Sequence, residues 1–96
     1  MIESFGDAGS EDIFNGLDTK AARRTCPQTL WKTAARKLDQ LDSAVTLEDL
    51  RVPPGNRLQA LEGDRTGQYS IRINDQYRIC FNWNDAPSDV VIIDYH

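Results

Sequence analysis

The chain's most constraining feature is a pair of alternating apolar runs on either side of Asn74-Asp75-Gln76, within the stretch from Gly63 to Trp83. A period of two places successive side chains on opposite faces of a strand, and the polar triplet between the runs reads as a hairpin loop. If the loop has three residues, Ile73 faces Tyr77, Ile71 faces Ile79 and Tyr69 faces Phe81, all on one apolar side. The same register sets Arg72 directly opposite Arg78 on the other side. Like charges opposed across a strand pair destabilise it and call for a compensating anion. That anion is either a carboxylate of this protein, with Asp75, Asp94 and the terminal carboxylate as the structural alternatives, or a phosphate of something else.

Ninety-six residues form one small domain, 1–96, with a modest core. No apolar run is long enough to span a bilayer, and MIESFGDAGSED lacks the basic and apolar regions of a signal peptide, so no membrane association and a cytoplasmic location are expected. Cys26 and Cys80 have no Cys-x-x-Cys spacing and read as reduced thiols. No short ligand spacing supports a metal site with the single histidine, and no cofactor is expected.

The formal net charge of −4 argues against generic nucleic-acid binding, but it is unevenly spread. Residues 1–18 carry five acids and no base, and residues 79–96 carry three acids and no Lys or Arg. Between them, residues 19–50 have six bases against four acids, and residues 51–78 have five arginines against three acids. The balance points to a positive face on an acidic body, whose arginines suit bidentate phosphate recognition, with solvated arginines scattered around the surface as the alternative.

Along the chain, Ile2 to Phe5 reads as a short strand. Ser10 caps a brief helix to about Leu17, with Ile13, Phe14 and Leu17 on one face. Asp18 to Cys26 has weak periodicity and reads as a loop or frayed turn. Pro27 opens a helix to Leu41, striped by Leu30, Ala34, Leu38 and Leu41 and widened by Trp31 and Ala35. Thr46 and Asp49 form a near capping box before a short turn that Pro53-Pro54-Gly55 ends. Strands follow at Leu58–Leu61, Tyr69–Ile73, Tyr77–Trp83 and Val90–Tyr95. The last is continuously apolar and reads as a central strand covered on both faces. The result is an α+β fold, two N-terminal helices packed on one face of a small, mainly antiparallel sheet. The opposite face, with Ser70, Arg72, Asn74, Arg78 and Asn82, is left open. Trp31 and Trp83 sit at core-like spacings and read as packing residues.

Leu61-x-Gly63-Asp64-Arg65-x-Gly67-x-Tyr69-Ser70-Ile71, the following Tyr77-Arg78-Ile79 and the terminal Asp94-Tyr95-His96 resemble the HigB branch of the RelE/ParE toxin superfamily. The resemblance covers nearly the whole chain and implies a RelE-like fold. It implies a cytoplasmic, ribosome-dependent endoribonuclease that cuts mRNA during translation. It also implies a helix-turn-helix HigA-type antitoxin that neutralises the toxin and represses their operator DNA. Metal-free RNA cleavage needs a group to take the 2′-OH proton, another to protonate the departing 5′-oxygen, and cations around the phosphate. On that basis Arg72 and Arg78 are the expected phosphate clamp. His96, the single histidine, is the expected proton-transfer group, because histidine is the side-chain type whose unperturbed pKa suits proton transfer near neutral pH. Tyr95 is expected to stack on a base or join the proton chemistry, and Asp94 to orient its neighbours. Arg51, Arg57, Arg65 and Asn74 are expected to extend the RNA-contacting surface.

The chain departs from the branch in places. Ribosome-dependent members often carry a histidine and a lysine where Gln59 and Glu62 stand here, and some carry an arginine where this chain has Asn74. One proton-transfer group fewer implies slower catalysis or heavier reliance on the ribosome. The alternatives are therefore a catalytically weak relative acting mainly as an antitoxin-binding co-repressor, and a ParE-like gyrase inhibitor, which the terminal Asp-Tyr-His disfavours.

Overall fold

The computed structural model describes residues 1–95, so the proton-transfer role expected of His96 lies outside the described residues. Three helices precede a four-stranded sheet: α1 (Ala8–Phe14), α2 (Lys20–Thr25), α3 (Trp31–Ser43), then β1 (Gln59–Ala60), β2 (Gln68–Arg72), β3 (Tyr77–Trp83) and β4 (Pro87–Asp94). The strands lie in the order β1-β2-β3-β4, every pair antiparallel.

The N-terminal helices differ most from expectation. Asp7, not Ser10, caps α1, accepting the Ser10 amide at 2.8 Å. Ser10 is fully buried, and its hydroxyl instead accepts the Ile92 amide at 2.9 Å, tying α1 to β4. The helix stops at Phe14, Gly16 takes φ 75°, and Leu17 leaves the face of Ile13 and Phe14 for solvent. The segment read as a loop contains α2, whose cap Thr19 accepts the Ala22 amide at 3.1 Å. Only Ala22 of α2 is buried, so there is no stripe to betray the helix. What holds it is close approach: a Cβ at Gly9 would lie 1.8 Å from Thr25 Oγ1 and 2.5 Å from the Ala21 carbonyl oxygen. Glycine on α1 therefore lets α2 cross almost at backbone contact.

The third helix follows its stripe. After a 3-10 turn at Gln28–Leu30, α3 buries Ala34, Leu38 and Leu41, while Trp31 donates its indole N–H to the Cys26 carbonyl at 3.1 Å. The expected cap beyond it is present: Asp49 Oδ2 accepts the Thr46 amide at 3.0 Å and the Val45 amide at 2.9 Å, opening the 3-10 turn Leu47–Arg51. These bonds to the ionised form, Thr46 first, hold the Asp49 carboxyl below its ordinary value.

The hairpin keeps its expected register, with Tyr69 opposite Phe81, Ile71 opposite Ile79 and Arg72 opposite Arg78. Its apolar side joins the helices in one core, where Ile71, Ile79 and Phe81 meet Leu38, Leu41, Ala22 and Ile13, with Trp31 and Trp83 packed against it. Each fully buried leucine or phenylalanine contributes roughly 1.5–3 kcal/mol from area removed from water. The last strand differs from expectation. Val90 and Ile92 are buried in the core, but Val91 and Ile93 on its other face are only half-buried. One face of β4 is covered, not both. Its outer edge is met by the N-terminus, which forms a single parallel bridge, Phe5 to Val90, rather than a full strand.

Candidate functional site

The side of the β2–β3 hairpin facing away from the helices is where the charged chemistry gathers, and it is not open along its whole length as expected. Ser70 and Cys80 oppose each other there and are buried, and one step further Arg72 opposes Arg78. The like-charge pair is relieved differently on each strand. Arg72 pairs with the Asp75 carboxylate of the hairpin loop, so one compensating anion belongs to this protein. Among the described residues Arg78 has only neutral acceptors: Nε donates to Ser70 Oγ at 2.8 Å, and Nη2 donates to the Arg57 carbonyl at 2.7 Å and the Ser70 carbonyl at 3.4 Å. Its orientation is fixed, and no ion pair among the described residues neutralises its charge. Burial draws its pKa below the ordinary guanidinium value, opposed by Cys80 and Tyr95 and helped by Arg72 and Arg57.

The turn supports this arrangement. Asn74 Oδ1 accepts the Gln76 amide at 2.9 Å and the Tyr77 amide at 2.7 Å, the local side-chain turn that asparagine favours. The Gln76 carbonyl in turn accepts the Tyr95 amide at 2.6 Å. That bond brings the end of the chain alongside the hairpin and leaves the Arg78 guanidinium carbon 5.9 Å from the Tyr95 ring centre.

Together these residues line a cleft of about 350 Å³ walled by Arg57, Gln59, Arg72, Asn74, Asp75, Arg78 and Tyr95. Arg57 enters it from a left-handed position (φ 46°, ψ 55°) that closes the 3-10 turn Pro54–Asn56. The cleft can hold an anion of phosphate size against fixed guanidinium donors, with an aromatic ring at its rim. Of the residues singled out in the sequence, it gathers Arg57, Arg72, Asn74, Arg78 and Tyr95. Gln59 also lines it, whereas Glu62 does not.

Others lie elsewhere. Arg51 pairs with Glu48 at 2.7 Å on an exposed turn. Arg65 is exposed on the turn Gly63–Arg65 and is absent from the cleft wall. Asp94 shares the helix-facing side of β4 with Ile92, next to Asp7, Arg24 and Thr25, and accepts from Gln76 Nε2 at 3.1 Å. Alternation thus sends Tyr95 to the arginines and Asp94 away from them.

Both cysteines are free and buried, Cys26 within the core and Cys80 on the hairpin's side facing away from the helices. Burial pushes the Cys26 thiol up to about 11 and raises Cys80 as well, so neither is an activated nucleophile.

Residues 3–96 match the family described as RelE-like toxin of type II toxin-antitoxin system HigB. This chain belongs to the HigB-like toxin family. It is 44% identical, over all 96 of its residues, to Toxin HigB-1 of Vibrio cholerae serotype O1, and the match covers 98% of that protein. A second relative, an uncharacterized protein of Haemophilus influenzae, is 39% identical over 70 residues, 73% of this chain and 69% of that protein. The HigB-like chain is thus the toxin component of a type II toxin–antitoxin system, a class defined by pairing with an antitoxin. Its helices and antiparallel sheet fit the RelE-like α+β fold. No helix among the described residues is long and apolar enough to cross a membrane.

Proposed function

We propose that this toxin is a cytoplasmic, ribosome-dependent mRNA endoribonuclease that takes its positive charge from guanidinium groups and asks for no metal. The observation that carries the reading is Arg78, held in place by three neutral acceptors, in no ion pair among the described residues, on the wall of a cleft shared with Arg72 and Tyr95. In the proposed reaction the 2′-oxygen attacks the neighbouring phosphorus, the bond from phosphorus to the 5′-oxygen breaks, and a cyclic phosphate forms. One proton leaves the 2′-OH and one reaches the departing 5′-oxygen. Charge on the phosphate oxygens rises in the transition state, where preoriented donors act most strongly. Arg78 supplies them, and Arg72 joins once the phosphate replaces Asp75. Arg57 and Asn74 extend the contact along the RNA backbone.

Tyr95 serves either as the stacking face for a base or as a proton carrier, and Tyr95→Phe separates the two. Retained cleavage assigns the ring, and lost cleavage assigns the hydroxyl. His96 is the remaining proton-transfer group proposed from the resemblance. Gln59 in the cleft supports a second reading, a weak catalyst that acts mainly by binding its antitoxin, because an amide transfers no proton at neutral pH. We assign the antitoxin the helix-turn-helix HigA type, which would bring the complex to operator DNA. Inducing the toxin without its antitoxin and mapping mRNA 5′ ends tests the two readings. Cuts inside translated frames support the nuclease. Normal growth without cuts supports the co-repressor, and DNA breaks would indicate a gyrase poison.

A further inference from the structure

Lys37 is the one lysine among the buried charged or polar residues, with 8% of its surface exposed. Among the described residues its ammonium is in no ion pair: those present use Arg23, Arg51 and Arg72. Burial lowers its pKa, and the two charges acting on it, Arg36 and Arg72, are both positive and lower it further. A buried ammonium without a counter-charge is disfavoured, and a methionine of similar length would fill the same space.

Among the described residues Lys37 makes one side-chain hydrogen bond. Nζ donates to Asn56 Oδ1 at 2.5 Å. Asn56 is fully buried, and its Nδ2 faces the Leu50 carbonyl at 3.2 Å, the Gln40 side-chain oxygen at 3.3 Å and the Val52 carbonyl at 3.5 Å. With the amide nitrogen committed to acceptors, the amide oxygen needs a donor, and Lys37 supplies it. Asn56 ends the 3-10 turn, and the next residue, Arg57, turns left-handed and presents its carbonyl to Arg78. A continuous chain of hydrogen bonds and one peptide unit thus runs from helix α3 to the guanidinium.

We propose that Lys37 is a positioning residue of the cleft, fixing through Asn56 the turn whose Arg57 carbonyl holds Arg78 in its phosphate-binding orientation. The consequence for cleavage rests on the nuclease reading, but the consequence for Arg78 is readable without RNA.

The test uses the full-length chain labelled with nitrogen-15 and follows the Arg78 Nε–H resonance, with the Arg51 Nε–H as an internal control. In Lys37→Met the Arg78 signal is expected to shift and broaden while Arg51 and the strand amides stay put. Cleavage of mRNA on programmed ribosomes is expected to fall roughly ten- to hundredfold, mainly in kcat, as for a displaced catalytic contact. An unmoved Arg78 resonance in folded Lys37→Met overturns the proposal. If that variant fails to fold, Lys37→Gln, whose shorter stem cannot reach Asn56 in the same way, gives the same readout with the same two outcomes. A displaced resonance in a protein that never cleaves mRNA would support the positioning role and refute the nuclease reading alone.

Discussion

The two sides of the β2–β3 hairpin share one register and follow opposite physics. On the core side Ile71, Ile79 and Phe81 are sealed by the helices, and each contact is apolar and non-directional. On the other side Ser70, Arg72 and Arg78 are ordered by directional bonds, one of them to a carbonyl 21 residues away. The first side holds the fold together; the second stores an oriented charge that folding alone does not need. Substitutions should therefore separate stability from function according to the side they strike.

The largest effect on stability is expected on the core side. Phe81→Ala should cost about 3–5 kcal/mol, most of the stability of a domain this small, and abolish toxicity through unfolding. Chemical denaturation checks it. An intact midpoint would mean that the core is not shared as described.

The next effect sharpens the same contrast through pH. Burial pushes the Cys26 thiol from 9.0 up to about 11, so the native state keeps its proton while the unfolded chain loses it. Stability is accordingly complete below about pH 9 and is lost as pH rises toward 11, by at most roughly 2–3 kcal/mol. Cys26→Ala should flatten that alkaline limb in pH-dependent melting.

A smaller change is expected on the side facing away from the helices. Ser70→Ala removes the acceptor of Arg78 Nε and should cost about 1–2 kcal/mol while loosening the guanidinium. Cleavage should fall more than stability predicts, which comparing melting with cleavage rates would show.

The smallest effect on stability concerns Asp75, whose carboxylate is 97% exposed while it pairs with Arg72. Asp75→Asn should change stability by less than about 1 kcal/mol, as exposed pairs do. It should nevertheless tighten binding of a short RNA, because the competing internal anion is gone. Unchanged or weaker binding in a titration would mean that Asp75 orients Arg72 instead of occupying it.

The two sides also differ in how far the sequence foretells them. The core side follows from period-two alternation, which survives without knowledge of any partner, and so the register and the arginine pair are legible. The division of labour within that pair is not. Asp75 is a near neighbour of Arg72, but the carbonyl that holds Arg78 belongs to a left-handed residue in a distant turn, and backbone acceptors leave no mark in side-chain patterns. Helix α2 escapes for a related reason. It depends on Gly9 on another helix rather than on a stripe of its own. Asp94 and Tyr95 were separable by alternation, but only the pairing of β4 with β3 assigns each its side.

The central claim is that the oriented Arg78 is the toxin's phosphate-binding group, and the direct measurement is a 5′-end map of cellular mRNA after induction of Arg78→Ala alongside the wild type. Because Ser70 Oγ and the Arg57 carbonyl lose a donor, the variant should melt somewhat lower, by about 1–2 kcal/mol, yet stay folded. We expect wild-type cuts within translated frames and their disappearance, together with toxicity, in the folded variant. Undiminished cuts from a folded Arg78→Ala protein would contradict the account.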